Sequence, residues 1–406
     1  MLFNQIIAPL QDLLTKEAEL LDGDASTYKL SLHFFTINLL YAVIMEVGSI
    51  SLLITEIKTS PQAKALNLVH VSKSMYSEAF SRYDPKIFRR IFLGLLERLT
   101  FSEIPEIEKL GRFILVDGSI FPAFSTMEWA SYKSTSNALK MHLAFELNRM
   151  IPVQFINTDA NGCEKKALLE MLEVGVTYIA DRGYVSFKLF QQIVEQQAFF
   201  IIRIKSTMKD TVVQRLDVII PEEWPPFFVN VSDSIIYFSN DPNKPHYRLV
   251  TFAFENEAYR IATNRTDLTT GEIIMLYAYR WQIELFFRSI KRTFHALHLW
   301  SHNEKGIETQ FYIYMIVYLL LLHFKQGLVQ EQMAADILNN EPDSKNPEST
   351  PPENYSTRTP ARGLVTLLGG RLKKFWKMSV HWLKCVRNFL FQPLTQEIKV
   401  MIFNME

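Results

Sequence analysis

Between Arg112 and Ile204 the chain is cut into five short apolar runs, a texture that a helical bundle does not produce. Phe113–Val116, Leu139–Leu147, Ile151–Ile156, Val176–Ala180 and Phe199–Ile204 each have strand length and are rich in β-branched or aromatic residues. The second and third, joined across Asn148-Arg149, predict a hairpin. Helical spacing appears only at Glu164–Leu172 and Ser186–Gln196. The order is three strands, helix, strand, helix, strand, which predicts an α/β layer fold.

The flanking segments differ. Residues 1 to 106 carry apolar residues at mixed three and four spacings, as in Leu30–Ile44 and Ile87–Leu99, and predict a helical region. Ser51–Ile57, the helix start Ser60-Pro61, and Val71-Ser72-Lys73-Ser74 leading into a third helix fit either a helix-turn-helix-like bundle or a plain packing domain. Residues 206–265 read as a β-rich insertion, with a turn at Asn240-Asp241-Pro242 and alternating strands at Tyr247–Phe254 and Tyr259–Thr263. Thr269 or Thr270 starts a long helix reaching about Phe294, and Glu304–Phe324 supplies another. Its apolar core, Phe311–Phe324, is about 14 residues long where a membrane span needs roughly 20; it predicts a buried helix and no membrane partner. From 339 to 363 the residues Pro342, Pro347, Pro351, Pro352 and Pro360 among Ser, Thr, Asn and Glu predict a disordered linker. The resulting division is 1–106, 107–328 and 329–406.

Charge and cysteine content narrow the setting. Forty-three basic and 43 acidic residues cancel, which weighs against a nucleic-acid partner, but from Tyr355 to Lys399 the basic residues Arg358, Arg362, Arg371, Lys373, Lys374, Lys377, Lys384, Arg387 and Lys399 meet only Glu397. Two cysteines, Cys163 and Cys385, cannot form a disulfide framework, and the first residues lack the pattern of a signal peptide. A reducing, cytoplasmic setting is expected.

The chemistry is carried by carboxylates. Asp117 and Asp181 each follow an apolar run, so two strands deliver one carboxylate apiece at or near a strand end. On the long helix, at 100° per residue, Tyr277, Arg280, Glu284, Arg288 and Lys291 fall within a sector of about 80°. The remaining residues, including Ile273, Leu276, Ile283, Phe286 and Ile290, are apolar, so this polar face must look onto charges of its own. Three carboxylates with cations one and two turns away suit divalent ions about 3.5 to 4 Å apart acting on a phosphodiester. A solvated face with Arg280/Glu284 and Glu284/Arg288 pairs is the plainer alternative.

Tyr277, Arg280, Glu284 and Lys291, separated by two, three and six residues, resemble the signature of the bacterial insertion-sequence DDE transposases of family four. Tyr279 to Glu284, Phe287-Arg288, Val116-Asp117-Gly118-Ser119, Lys140-Met141-His142 and Asp181-Arg182-Gly183-Tyr184 extend the resemblance, which covers about Phe113 to Phe324. It implies a ribonuclease-H-like catalytic domain over 107–328, with a mixed five-stranded sheet, flanking helices and the β-rich insertion before the Glu-bearing helix. Asp117, Asp181 and Glu284 would be the catalytic residues holding two Mg²⁺ or Mn²⁺ ions, and Tyr277, Arg280, Arg288 and Lys291 the DNA contacts. Such enzymes cleave their element's ends, the terminal inverted repeats in double-stranded DNA, and join them to target DNA, working as homodimers in the complex. Residues 1–106 would then bind the element end. Relatives that form DNA hairpins stack a flipped base on a tryptophan of the insertion; here only Trp224 lies there, and Phe252, Phe254 or Tyr259 would offer the ring. The rivals are a catalytically inactive or domesticated DNA-binding derivative and a nuclease without strand transfer. His295, His298 and His302 would share a face if the helix ran on, and His142 with Lys140 would approach the site from the second strand.

Overall fold

A computed structural model of the chain describes residues 1–21, 28–133, 136–222, 228–254, 257–293, 296 and 298–339. The expected linker from residue 340 on, the basic segment beyond it, Trp224 and His295 lie outside the described residues. The N-terminal part is helical: α1 (Leu2–Glu19), α2 (Leu32–Ile44), α3 (Ile50–Thr59), α4 (Pro61–Ala65), α5 (Lys73–Arg82), α6 (Pro85–Arg98) and the single turn α7 (Pro105–Glu108). The starts are written in the residues. The side chains of Ser31, Ser49, Ser60, Ser72 and Asp84 each accept a backbone N–H of the helix that follows, and Pro61 and Pro85 occupy a first turn, where no N–H is missed. Each cap contributes about 1 kcal/mol.

Among the described residues the sheet has ten strands: β1 (Phe113–Ala123), β2 (Ser131–Lys133), β3 (Ser136–Glu146), β4 (Ile151–Asp159), β5 (Thr177–Ala180), β6 (Phe199–Arg203), β7 (Asp210–Arg215), β8 (Val229–Phe238), β9 (Tyr247–Phe254) and β10 (Glu257–Thr263). Its center runs β4-β3-β1-β5-β6, with β1, β5 and β6 parallel and β3 antiparallel to both neighbours. This is the mixed five-stranded order of a ribonuclease-H-like core. The β-rich insertion is continuous with that sheet, because β10 pairs antiparallel with β6, through Ile261 opposite Arg203, and β9, β8 and β7 follow in turn. Pairing with β10 removes the exposed N–H and C=O row that an edge-lying β6 would present.

Alternation along the parallel strands divides the core. Ile114, Val116, Tyr178 and Ala180 pack with α8 (Glu164–Glu170) and α9 (Phe187–Glu195). Phe113, Leu115 and Ile179 pack on the opposite face, in a core that continues into the N-terminal helices and into α10 (Thr270–Tyr279), α11 (Trp281–Thr293) and α12 (Glu304–Asn339). By length and composition α12 is apolar enough to cross a membrane, yet its Phe311–Leu322 stretch is buried inside this core. The Phe92 and Tyr312 rings, 6.0 Å apart, mark its contact with α6.

Candidate active site

The sheet register brings two of the expected carboxylates side by side. Ile114 pairs with Tyr178 and Leu115 with Ile179, the last pair of the parallel ladder, and Asp117 and Asp181 each follow two residues beyond it, near enough for the Asp181 charge to act on Asp117. The two-residue period also puts both on the face of Leu115 and Ile179, the face on which α11 packs. Both are held by backbone. Asp117 Oδ1 accepts from Gly118 N at 2.8 Å, and Asp181 Oδ1 accepts from Gly183 N at 2.8 Å, capping the short 3₁₀ turn Arg182–Tyr184.

Glu284 comes from a helix that the sequence reading expected to be continuous to about Phe294. Instead the chain breaks at Arg280 between α10 and α11 and ends its second part at Thr293. At the break the ladder tightens: Arg280 N–H donates to Tyr277 O at 3.0 Å and Ile283 N–H to Arg280 O at 3.3 Å, each three residues back. The break falls where α10, buried on nearly all sides, gives way to the one-sided α11, whose Trp281 is exposed. The five polar residues therefore belong to two helices. Tyr277 is buried on α10, its ring 6.4 Å from Tyr259, while Glu284, Arg288 and Lys291 lie on α11. Arg280 Nη1 donates to Glu284 Oε1 at 2.8 Å, and Arg280 is itself half-buried.

The helix entry is anchored by buried polar contacts. Thr269 forms a capping box with Glu272. Thr270 Oγ1 donates to Asp233 Oδ2, which also accepts from Arg248, whose Nη1 reaches Leu268 O. Arg265 spans Asp267, Thr177 Oγ1 on β5 and Leu110 O. These bonds tie the insertion, the start of α10 and the foot of β5 together.

Asp117, Ser119, Glu284, Phe287, Arg288, Lys291 and Arg292 line one open cleft of about 360 Å³. Arg288 and Arg292 are exposed there. Lys291 is held: its Nζ donates to Ile120 O at 2.8 Å and stands 4.7 Å from the Phe121 ring, and burial lowers its pKa. Ser119 and Phe287 belong to the motifs that carry the resemblance but were given no role from sequence, and Arg292 was not singled out; spacing from Glu284 was its only available signal. His298 and His302 lie outside any helix, so the condition for a shared histidine face is not met between them. His302 instead stacks on Phe124, centroids 4.2 Å apart, and bonds Thr126 Oγ1. His142 is buried with Nε2 at 3.0 Å from Thr158 Oγ1, and burial followed by the Lys140 charge pushes it down to about 4, so it is neutral. Lys140 points to Glu164, a carboxylate that sequence reading passed over. In the insertion, Tyr259 stacks on Phe252 at 4.9 Å under the Arg203 guanidinium, and Phe254 stacks on Phe228.

Burial pushes Asp117 up to about 6, with the charges of Asp181 and Glu284 adding to the rise against the Gly118 N–H and Arg280. A buried carboxylate facing the charges of two others is a place that favours a cation. Among the described residues no three carboxylate, imidazole or thiol groups already stand around a common ligating point. Each carboxylate nonetheless has a second oxygen beyond the bonds described above, and an all-oxygen donor set fits a hard divalent ion.

The model of the transposase DDE domain matches residues 108–320, more than half of the chain. The chain belongs to the DDE transposase family. It is similar to protein y4zB of Sinorhizobium fredii, named as a transposase, at 28% identity over 60% of this chain and 69% of that one. A Synechocystis protein named as the transposase of insertion sequence element IS4SA is 26% identical over 64% of this chain and 74% of its own. A solved structure of piggyBac transposase in a synaptic complex with hairpin DNA aligns with 100% of this chain and 83% of that chain, at 10% identity and a TM-score of 0.44. This DDE transposase is thus an enzyme of bacterial insertion sequences that acts on DNA, and its family works with divalent metal ions.

Proposed function

We propose that Asp117, Asp181 and Glu284 are the catalytic carboxylates, holding two Mg²⁺ or Mn²⁺ ions for cleavage of the element ends and their joining to target DNA. The observation that carries this reading is the parallel register of β1 and β5, which ends two residues before Asp117 and Asp181 alike, beside the helix that bears Glu284. The ions would activate water or a 3′ hydroxyl and stabilise the leaving oxygen. The chain does the rest. The β1–β5 ladder fixes two carboxylates, and Arg280 holds the third while it is unliganded. Exposed Arg288 and Arg292 meet backbone phosphates along the cleft, bidentately where geometry allows. Tyr277, packed behind Arg280, shapes that wall and reaches DNA only at its edge. Lys291 contributes its charge from its post on Ile120 O. The helices of residues 1–106 bind the terminal repeats, and a homodimer brings two ends together.

The test uses the full chain on DNA carrying the element's terminal inverted repeats. Asp117→Asn should abolish Mg²⁺-dependent nicking while gel-shift affinity for the ends stays within about threefold. Normal nicking by that variant refutes the assignment.

A further inference from the structure

Gly118 directly follows Asp117 and Gly183 lies two residues beyond Asp181, and the space over both is taken by one side chain, Glu164, joined over Gly118 by Lys140. A Cβ on Gly118 would stand 2.6 Å from Lys140 Cε and 3.1 Å from Glu164 Oε1. A Cβ on Gly183 would stand 2.8 Å from Glu164 Oε2 and 3.0 Å from Asp181 Oδ1. The carboxylate of Glu164, the first residue of α8, therefore spans from the residue after Asp117 to the residue two beyond Asp181. Its Oε1 is 2.5 Å from Lys140 Nζ, and both side chains are mostly shielded, at 13% and 26% exposure. The buried Tyr184 stands among the same acids: after burial, the charges of Asp117, Glu164 and Asp181 hold its hydroxyl well above the ordinary range.

We infer that Glu164 and Lys140 form a positioning pair that braces the two aspartate-bearing strand ends and keeps the lysine charge off the carboxylates meant for metal. The inference rests on the assignment of Asp117 and Asp181 as metal-holding residues. Lys140 is on β3, opposite Ile120 of β1, and its flexible stem already lies over Gly118. Deprived of Glu164, that ammonium is left without its partner over Gly118, one residue from Asp117, and at shielded positions its charge is strong enough to compete with a cation at the neighbouring carboxylates. Glu164 prevents this by ion pairing. Neither residue touches the substrate; both act through the aspartates.

The test is Mn²⁺ binding to the full chain without DNA, read from the electron paramagnetic resonance signal of free Mn²⁺. Asp181→Asn should lose most of the binding; if it binds as the wild type does, the metal assignment fails and the inference goes with it. With that control in place, Glu164→Gln should bind Mn²⁺ about tenfold more weakly, and Lys140→Met combined with Glu164→Gln should recover to within about threefold of wild type, because the competing charge is gone. Gly183→Ala crowds both Glu164 Oε2 and Asp181 Oδ1 without changing any charge and should weaken binding in the same direction. Wild-type affinity in Glu164→Gln, or equal losses in the single and double variants, overturns the inference while the metal assignment stands. If Glu164→Gln fails to fold but the double variant folds and binds, the inference holds; if both fail and Gly183→Ala binds normally, it is overturned.

Discussion

The two halves of the site are held by different means. Asp117 stands on β1 and Asp181 directly follows β5, the neighbouring parallel strand, whose spacing from β1 is set by main-chain hydrogen bonds, and each carboxylate is further tied by a backbone N–H. Glu284 stands on a helix that follows a break, and what holds it is a side chain, Arg280, together with the chain of buried side-chain bonds through Asp233, Arg248 and Arg265 that fixes the helix entry. A backbone ladder resists substitution and motion alike. A side-chain pair can exchange partners. Under the proposed assignment, the strand half is the fixed frame of the site and the helix half is the part expected to respond to a cation or a phosphate.

The sharpest way to break this contrast is to remove one ligand from the rigid half. Asp181→Asn should lower the rate of end cleavage at saturating Mg²⁺ by at least about a thousandfold, since several kcal/mol of charge stabilisation go with the ion. The Tm should stay within a few degrees of wild type, because the ladder does not depend on that side chain. A cleavage loss below tenfold would mean the frame is not where the ions sit.

An opposite profile is expected from the anchors of the helix half. Asp233 is buried and pairs with Arg248 Nε and Nη2 at 2.9 and 2.6 Å while accepting from Thr270. Asp233→Ala leaves a buried guanidinium without its partner, and urea denaturation should show a loss of about 3 to 5 kcal/mol. Hydrogen exchange at the start of α10 should accelerate more than at β1 and β5. Uniform acceleration would show that the two halves unfold as one and that the contrast is only geometric.

How much of this was legible in the residues follows the same division. The strands, their order and the placement of the aspartates could be read because runs such as Phe113–Val116 and Val176–Ala180 are local signals, and serine before proline marked α4. The break at Arg280 could not, because α10 is apolar on nearly every side and offers no phase whose slip would show. The pairing of β10 with β6 joins residues about sixty apart in sequence, and nothing in Tyr259–Thr263 names its partner. The Glu164–Lys140 contact is of the same kind: Gly118 and Gly183 hint that something must fill the space over them, but not which side chain does.

A smaller effect is expected at Lys291, which belongs to the helix yet is bonded to the frame. Lys291→Met keeps the apolar stem over Phe121 and deletes both the charge and the bond to Ile120 O. DNA-end affinity should fall about five- to tenfold at low salt and the difference should shrink as salt rises, as for any phosphate contact. A drop in Tm with unchanged DNA affinity would make Lys291 a brace between α11 and β1.

The smallest effect concerns pH and involves no DNA. Asp117, pushed up to about 6 chiefly by burial and then by Asp181 and Glu284, binds its proton more tightly in the folded protein than in the unfolded chain, where an aspartate titrates near 3.9. A raised pKa stabilises the fold fully below the unfolded value and loses that contribution as pH climbs through about 6. The metal-free protein should therefore lose about 1 to 2 kcal/mol of stability between pH 4 and pH 7 from this one group, superimposed on the gains from other ionised carboxylates. Asp117→Asn, neutral at every pH, should be more stable than wild type by that amount at pH 7 and by nearly nothing at pH 4. Saturating Mg²⁺ should reverse the order at pH 7, because bound cation stabilises only the protein that retains the carboxylate. If the two proteins keep the same stability difference at both pH values in chelator, the frame carries no stored charge repulsion, and the rigid half of the site is less strained than its crowded carboxylates suggest.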